Sequence, residues 1–253
     1  MNRIVIGVVV FLVVGLFVGS IVLAFVYFNT DIGFTRDSVD IITKDREVEG
    51  FTVISLEGIG NLRIVQSEEE GISIVADEKL MDDIITEVKG ETLEIKYRTN
   101  WLNWVRIFWN RNNIAYTVKA KDIKAVELSG SSKLSSNNLT GDELDIRISG
   151  SGEVDLDVNY NKMSCEVSGS GHFNVQGKAD EQNIQISGSG KYFGQYLISK
   201  NADVKISGSG EVELQVSDQL DVEISGSGKV SYLGDPKIKQ TISGSGDINK
   251  ISE

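Results

Sequence analysis

The sequence predicts an all-β protein built as a parallel β-solenoid, and three observations carry this prediction. The phrase Ile-Ser-Gly-Ser-Gly or Val-Ser-Gly-Ser-Gly occurs at 148–152, 167–171, 186–190, 206–210, 224–228 and 242–246. Consecutive copies begin 18 to 20 residues apart, a fixed spacing that is typical of repeat architectures. On both sides of the phrase apolar and polar residues alternate, as they do in half-buried strands.

Each repeat is predicted to supply two strands joined by a Ser-Gly-Ser-Gly corner. The apolar residues that flank the corner are an even number of residues apart, so they belong to the same face of an extended chain. In an extended corner Gly150 and Gly152 face inward, while Ser149 and Ser151 face outward. One repeat cannot bury its own apolar face, but stacked repeats can, with parallel strands about 4.8 Å apart.

Two degenerate copies of the phrase extend the repeat toward the N-terminus. They read Leu-Ser-Gly-Ser-Ser at 128–132 and Leu-Glu-Gly-Ile-Gly at 56–60. We therefore predict one domain over 47–253, with regular repeats in 128–253 and an atypical N-terminal part in 47–127. The alternation in that part predicts strands at 51–55, 71–75, 93–97 and 114–118.

One short helix is also predicted in the atypical part. Asp77 is a candidate N-cap, and Gly90 is a candidate terminator. Between them an apolar stripe at helical spacing is formed by Leu80, Met81, Ile84, Ile85 and Val88.

The first 30 residues are predicted to be a transmembrane anchor. Residues 4–28 contain no charged side chain, and a helix of that length spans a hydrocarbon core of about 30 Å. Arg3 precedes the run, while Asp31 and Asp37 follow it, so the N-terminus is expected in the cytoplasm and the rest of the chain outside. The polar stretch 31–46 is expected to be a juxtamembrane linker.

A tryptophan-rich segment interrupts the atypical part. Trp101, Trp104 and Trp109 are all the tryptophans of the protein, and they fall within nine residues among several arginines. The segment is interpreted either as a cap that closes one end of the solenoid or as an amphipathic contact with the membrane or a partner.

Composition excludes several classes of function. The chain has a formal net charge of −12, which argues against nucleic-acid binding because phosphate backbones require a basic face. The single cysteine, Cys165, occupies an apolar position of a strand pattern, and the single histidine, His172, occupies a surface position. No catalytic constellation, metal-ligand spacing or cofactor motif is present, so we expect neither an enzyme nor a cofactor.

The corners offer one regular exposed surface. Stacking would align their serine hydroxyls into a column along one edge, which we predict as a candidate contact surface together with the tryptophans. The serines of this candidate surface are Ser149, Ser151, Ser187, Ser189, Ser207 and Ser209.

The order of these elements resembles a known family. A strand, a short helix ending at Thr86-Glu-Val-Lys-Gly90, then Thr92-Leu-x-Ile95 and the Ile-Ser-Gly-Ser-Gly repeats are similar to the auto-transporter adhesin head domain, or GIN head domain (DUF2807-type). The resemblance covers about 47–250 and implies a parallel β-solenoid on a cell surface. It implies no catalytic residues. Because the sequence shows no segment long enough for a translocating barrel after the repeats, we do not expect export through a barrel of its own.

These observations lead to three functional hypotheses. The first is a single-pass, membrane-anchored module at the cell surface, which binds an envelope glycan or a surface protein without catalysis. The second is a structural envelope protein that self-assembles through solenoid ends or edges. The third is a polysaccharide-acting enzyme, for which Glu153, Glu211 and Asp247 beside the corners could supply carboxylates. The oligomeric state is left open.

Overall fold

The structure is a computed structural model that describes residues 40–98 and 114–251, and these residues fold into one 14-stranded sheet wound into a solenoid. A single four-residue helix, α1 (Glu78–Met81), occurs in the described ranges. The strands are β1 (Ile41–Arg46), β2 (Val53–Gln66), β3 (Gly71–Asp77), β4 (Ile84–Lys89), β5 (Thr92–Tyr97), β6 (Ala115–Ala120), β7 (Ala125–Gly150), β8 (Glu153–Gly169), β9 (His172–Gly188), β10 (Lys191–Gly208), β11 (Glu211–Gly226), β12 (Lys229–Leu233), β13 (Lys237–Gly244) and β14 (Asp247–Lys250).

The repeats stack in parallel and in register, which confirms the predicted solenoid. Strand β2 pairs with β7, and each of β7 to β10 pairs with the next strand along the chain. The next coil, meaning one turn of the solenoid, is formed by β12 and β13, which pair with the front and back limbs of β11, and β14 begins the last coil by pairing with β12. The register aligns the corners, so Gly150 lies beside Gly169 and Gly169 beside Gly188.

Each long strand bends, so a coil has two limbs. In β8 the front limb is 153–158, which follows a corner, and the back limb is 162–169, which precedes the next corner. The two limbs face one another across the core, because the front-limb hydroxyl of Tyr192 donates to the back-limb Gln182 Oε1 at 2.6 Å. Alternate residues of both limbs are buried, and Cys165 is one of the buried apolar residues, as predicted.

The two glycines of a corner have different surroundings. The second glycine faces inward as predicted; in Gly171 a Cβ would lie 3.0 Å from the Ile148 side chain. The first glycine does not face inward, contrary to the prediction. Gly169 has φ +128°, and a Cβ there would point at the preceding coil, 2.5 Å from Gly150 O. The prediction assumed a fully extended corner, in which side chains alternate between inward and outward. The left-handed φ of the first glycine breaks that alternation.

The atypical part forms the first coil and the end of the solenoid before it. The degenerate copy at 56–60 is confirmed as a corner, because Gly58 pairs with Gly130. Beyond β2 lie β5 and β6, which pair with it in parallel. Strands β4, β3 and β1 extend the sheet in antiparallel fashion.

The predicted helix is shorter than expected. Asp77 caps α1, and its side chain accepts from Lys79 N at 2.9 Å, but the helix ends at Met81. Ile84, Ile85 and Val88 are not on a helix; they lie in β4, which pairs with β5 across a turn at Gly90. Ile84 and Val88 of the apolar stripe are also spaced to share one face of a strand, and the neighbouring β5 supplies the hydrogen-bond partners.

The sheet also begins earlier than the expected domain boundary at residue 47. Residues 41–46, which were predicted to be part of a linker, form β1. Arg46 fixes this strand, because its guanidinium donates to Ile84 O at 2.8 Å, to Thr86 Oγ1 at 2.9 Å and to Met81 O at 3.1 Å. The apolar run at 4–28 lies outside the described residues. Within 40–98 and 114–251 there is no helix long and apolar enough to cross a membrane.

A tyrosine pair closes the core near the first corner. The Tyr97 hydroxyl donates to Ile59 O at 2.7 Å and lies 2.6 Å from the Tyr116 hydroxyl. Burial raises the pKa of Tyr97 to about 12, against the weaker opposing effect of its hydrogen bond with Tyr116. Burial also raises the pKa of Tyr116 well above its usual value.

The opposite end of the solenoid is open in the described part of the chain. Ile238 and Ile242 of β13 are 41% and 39% exposed, whereas their register partners Leu220 and Ile224 in β11 are 0% and 1% exposed. Strand β13 therefore presents apolar side chains that an additional strand would cover.

Candidate functional site: two exposed surfaces of the solenoid

The predicted serine column exists as an exposed edge. All six candidate serines are exposed, and the corners that carry them stack from Gly58 to Gly244. The stacking is held by the backbone: Ser170 N donates to Gly150 O at 2.9 Å, and Ser189 N donates to Gly169 O at 2.9 Å. The hydroxyls of these six serines make no hydrogen bond to other groups in the described ranges, so they are available to solvent or a ligand.

The serine column borders a shallow depression of about 320 Å³ on the back limb. The single cation of its lining, Arg147, is already paired, since it lies 3.2 Å from Glu127 and 3.4 Å from Glu166. The depression therefore offers hydroxyls beside a cluster in which three glutamates surround one arginine, and no aromatic side chain lines it.

A second surface lies on the front limbs and was not predicted. It is a groove of about 410 Å³ that crosses four consecutive strands, β7 to β10, and so runs along the solenoid axis. We call it the front groove. Its lining side chains are mostly carboxylates, amides and aromatics, and they include Asn137, Asp155, Asp157, Asn174, Gln176, Phe193, Gln195 and Tyr196.

Hydrogen bonds between neighbouring strands fix the polar side chains of the front groove. Asn174 Nδ2 donates to Asp155 Oδ1 at 2.8 Å, and Gln176 Nε2 donates to Asp157 Oδ2 at 3.0 Å. With their amide hydrogens directed at the carboxylates, both amides keep a carbonyl oxygen for another partner. Asp157 Oδ1 makes no further hydrogen bond within the described residues. The groove thus presents several positioned acceptors.

Lys133 neutralises one end of the front groove. Its ammonium lies 2.7 Å from Asp155 Oδ2 and 3.1 Å from Glu153 Oε1, which raises the pKa of Lys133. Burial opposes ionisation of Asp155, but its bonds with Lys133 and Asn174 outweigh burial and lower its pKa. Asp155 is therefore a structural anion with both oxygens bonded, while Asp157 keeps one oxygen without a hydrogen bond within the described residues.

A bulge in β10 places the aromatic wall of the front groove. The register of β10 on β9 shifts between Phe193 and Tyr196, and Tyr196 is 71% exposed. The next residue, Leu197, is fully buried and anchors the bulge. Gly194 permits this arrangement, because a Cβ there would lie 2.5 Å from the ring of Tyr192.

A chain of buried hydrogen bonds supports the bulge from inside. Tyr192 donates to Gln182, Gln182 Nε2 donates to Ser199 Oγ at 2.8 Å, and Ser199 Oγ donates to Gln215 O at 2.7 Å. Gln182 and Ser199 are both buried. Because each member has a partner, the network can specify one conformation of the bulge.

The opposite wall of the front groove is a second irregularity. The register of β7 on β8 shifts between Ser136 and Leu139, where Asn138 has φ +60°. The irregular strands β7 and β10 thus flank the regular front limbs of β8 and β9. The sequence held a signal for this: the corner spacing is 20 residues across each irregular coil, from Gly130 to Gly150 and from Gly188 to Gly208, but 19 across the two between.

The remaining candidates do not form a site in the described residues. Trp101, Trp104 and Trp109 lie outside those residues. Glu153 and Glu211 face lysines across the strands, with Glu211 3.0 Å from Lys191, so they are not an opposed carboxylate pair. Asp247 is in the last coil, two strands beyond Glu211 in the sheet order. His172 is exposed, as predicted, and no group of three or more metal-binding side chains occurs in 40–98 and 114–251.

Solved structures share this fold. A putative adhesin from Bacteroides fragilis is 23% identical, with a TM-score of 0.78 over 85% of this chain and 98% of that chain. A putative lipid binding protein from Parabacteroides distasonis is 26% identical, with a TM-score of 0.66 over 85% and 98% of the two chains. A putative adhesin from Parabacteroides merdae is 20% identical, with a TM-score of 0.65 over the same shares.

No curated protein matches the sequence. The family described as "Putative auto-transporter adhesin, head GIN domain" (DUF2807) matches residues 50–236, which is most of the solenoid. The resemblance predicted from the repeats is therefore confirmed, and this chain belongs to the auto-transporter adhesin head GIN domain family.

Proposed function

We propose that this protein is a non-catalytic binding module of the adhesin type, anchored in the cell membrane by residues 4–28, with its solenoid outside the cell. The family and the structural neighbours described as adhesins support a role at a cell surface. The observation that carries the binding role is the front groove, in which cross-strand hydrogen bonds fix polar side chains beside the exposed ring of Tyr196. The serine column is a second candidate contact surface.

The experiment uses the full-length chain in detergent micelles, immobilised through a C-terminal tag and exposed to isolated bacterial cell envelopes. We expect it to retain envelope material that an unrelated single-span protein in the same micelles does not retain. Equal retention by the two proteins would overturn the binding role. Envelopes treated with protease or with periodate, which cleaves sugar vicinal diols, show whether the bound component is protein or glycan.

A second candidate function is self-assembly through the open end of the solenoid. Ile238 and Ile242 support it, because unpaired strands with exposed apolar side chains pair readily with another chain. Light scattering on the full-length chain in micelles is expected to show dimers or larger species, and Ile238→Lys is expected to reduce them. A monomer at all concentrations, or assembly that Ile238→Lys leaves unchanged, would contradict this function.

A further inference from the structure

We propose that the front groove is a saccharide-binding site for a neutral oligosaccharide chain, an inference that rests on the proposed function and names its ligand class. The groove lies on the opposite limb from the depression beside the serine column, and it draws on four strands.

The dimensions of the front groove suit a chain rather than a single small molecule. It crosses β7, β8, β9 and β10, and neighbouring strands lie about 4.8 Å apart, so the groove is about 14 Å long. That length accommodates about two or three sugar rings in a row. The groove is open along one side, so a polymer could enter sideways without threading an end.

The chemistry of the lining selects a ligand rich in hydroxyl donors. The fixed groups are mainly acceptors: the carbonyl oxygens of Asn174 and Gln176, and Oδ1 of Asp157, which makes no hydrogen bond within the described residues. Their positions are set before any ligand arrives, which reduces the ordering cost of binding. Sugar hydroxyls donate to such acceptors.

The aromatic wall selects a ligand that also has an apolar face. Tyr196 is 71% exposed and Phe193 is partly exposed, and both line the groove beside the polar groups. A pyranose ring presents its C–H groups on one face and its hydroxyls at the edge, so it can pack on the ring of Tyr196 while its hydroxyls reach the acceptors. Buried aromatic side chains dominate the energetics of many binding surfaces.

The charge of the front groove disfavours anionic polymers. Its charged lining residues are Asp155 and Asp157. The nearby cation Lys133 is already paired with Asp155 and Glu153, and it does not line the groove. Uronate, sulfate or phosphate groups would meet acceptors and negative charge, so the ligand class is a neutral saccharide.

The test measures binding of the full-length chain in micelles to defined oligosaccharides by saturation-transfer difference NMR. The probes are cellohexaose, mannohexaose, isomaltohexaose and chitohexaose, and oligogalacturonate is the anionic comparison. We expect at least one neutral probe to bind and oligogalacturonate not to bind. Tyr196→Ala should weaken that binding about tenfold or more, because it removes the aromatic contact. Tyr196→Phe should stay within about threefold, because it keeps the ring.

Ile198→Ala is the matched control for Tyr196→Ala. Ile198 is 58% exposed in the same bulge but does not line the front groove, so its loss should leave binding unchanged. Asp157→Ala should weaken binding through loss of a hydroxyl acceptor. Thermal melts compare the variants, and equal melting temperatures for Tyr196→Ala and Ile198→Ala exclude unfolding as the cause.

Three results would overturn this inference while the proposed function stands. The first is retention of isolated envelopes by a chain that binds no neutral probe. The second is equal probe binding by Tyr196→Ala and Ile198→Ala. The third is envelope binding that protease removes and periodate does not, which would identify a protein partner. Failure to retain envelopes at all would instead remove the proposed function.

Discussion

At the scale of single residues, the two glycines of each corner are required for different reasons. The first glycine adopts a left-handed φ and brings its Cα against the carbonyl of the preceding coil, as Gly169 does against Gly150. The second glycine makes room for an isoleucine or valine of the preceding coil; Gly190, for example, packs on Val167. A side chain at the first glycine would therefore clash with the backbone of the preceding coil, and a side chain at the second would clash with the apolar core.

Gly169→Ala is expected to destabilise the solenoid by about 1–3 kcal/mol, because it combines an unfavourable φ with a Cβ 2.5 Å from Gly150 O. Ser170→Ala is the adjacent control, and since Ser170 is exposed its effect should stay within about 0.5 kcal/mol. Urea unfolding followed by circular dichroism measures both. Similar midpoints for the two variants would show that the corner tolerates a side chain.

The buried tyrosines predict a loss of stability at high pH. The pKa of Tyr97 is raised to about 12 in the folded protein, so the folded state holds this proton more tightly than the unfolded chain. The stabilisation is complete below about pH 10, the usual tyrosine value, and is lost as pH rises through the folded pKa. The free energy of unfolding should therefore fall between pH 10 and pH 12.

Tyr97→Phe should make that fall less steep, because it removes one of the titrating groups. Urea unfolding at pH 8 and pH 11 compares the variant with the natural chain. An identical pH dependence would mean that Tyr97 does not contribute to it. Tyr116, Tyr160 and Tyr192, whose pKa values burial also raises, account for the part of the slope that should remain.

At the scale of elements, β10 shows how a regular repeat acquires a particular surface. Its bulge turns Tyr196 and Ile198 outward, while Leu197 stays in the core. The polar network of Tyr192, Gln182 and Ser199 fills the interior beneath it. A bulge left without such partners would bury unsatisfied polar groups, which is costly.

Ser199→Ala is expected to cost about 1–3 kcal/mol, because it leaves Gln182 Nε2 and Gln215 O without their partner in a buried place. The matched control is Ser207→Ala, at an exposed corner serine, where the change should be within about 0.5 kcal/mol. Thermal unfolding compares the two. If Ser199→Ala and Ser207→Ala have the same melting temperature, the network does not stabilise the bulge.

At the scale of the whole molecule, the distribution of charge agrees with a neutral ligand. Residues 1–46 contain four basic and four acidic side chains, so the net charge of −12 belongs to the remainder of the chain. A strongly acidic body repels anionic polymers at a distance.

The proposed topology predicts a labelling pattern in intact cells. In a Cys165→Ser background, Ser209→Cys should react with a membrane-impermeant maleimide, whereas Asn2→Cys should react only after permeabilisation. The natural Cys165 should react little in either case, since it is buried and burial raises the pKa of its thiol. Labelling of Asn2→Cys in intact cells, or protection of Ser209→Cys, would reverse the orientation.

The solenoid could be predicted from the sequence, because each coil repeats one local pattern and the repeated contacts between coils are equivalent. Residues close together in the sequence were enough to predict three features: the spacing of the glycines, the alternation around Cys165 and the degenerate corner at Gly58. The end of α1 at Met81 was not, since an apolar stripe suits either a helix or a hairpin strand. The partner β5 decided between them.

The position of the front groove could not be predicted from the sequence, because it depends on how neighbouring coils are stacked. Asp155, Asn174 and Tyr196 are about one coil apart in sequence, and they become neighbours through the register of β8, β9 and β10. Within its own strand, each of these three residues is one of several that face away from the core, and nothing in the strand pattern distinguishes it. The physical reason is that local periodicity fixes which side of the sheet a residue faces, whereas stacking and a one-strand bulge fix which outward residues meet.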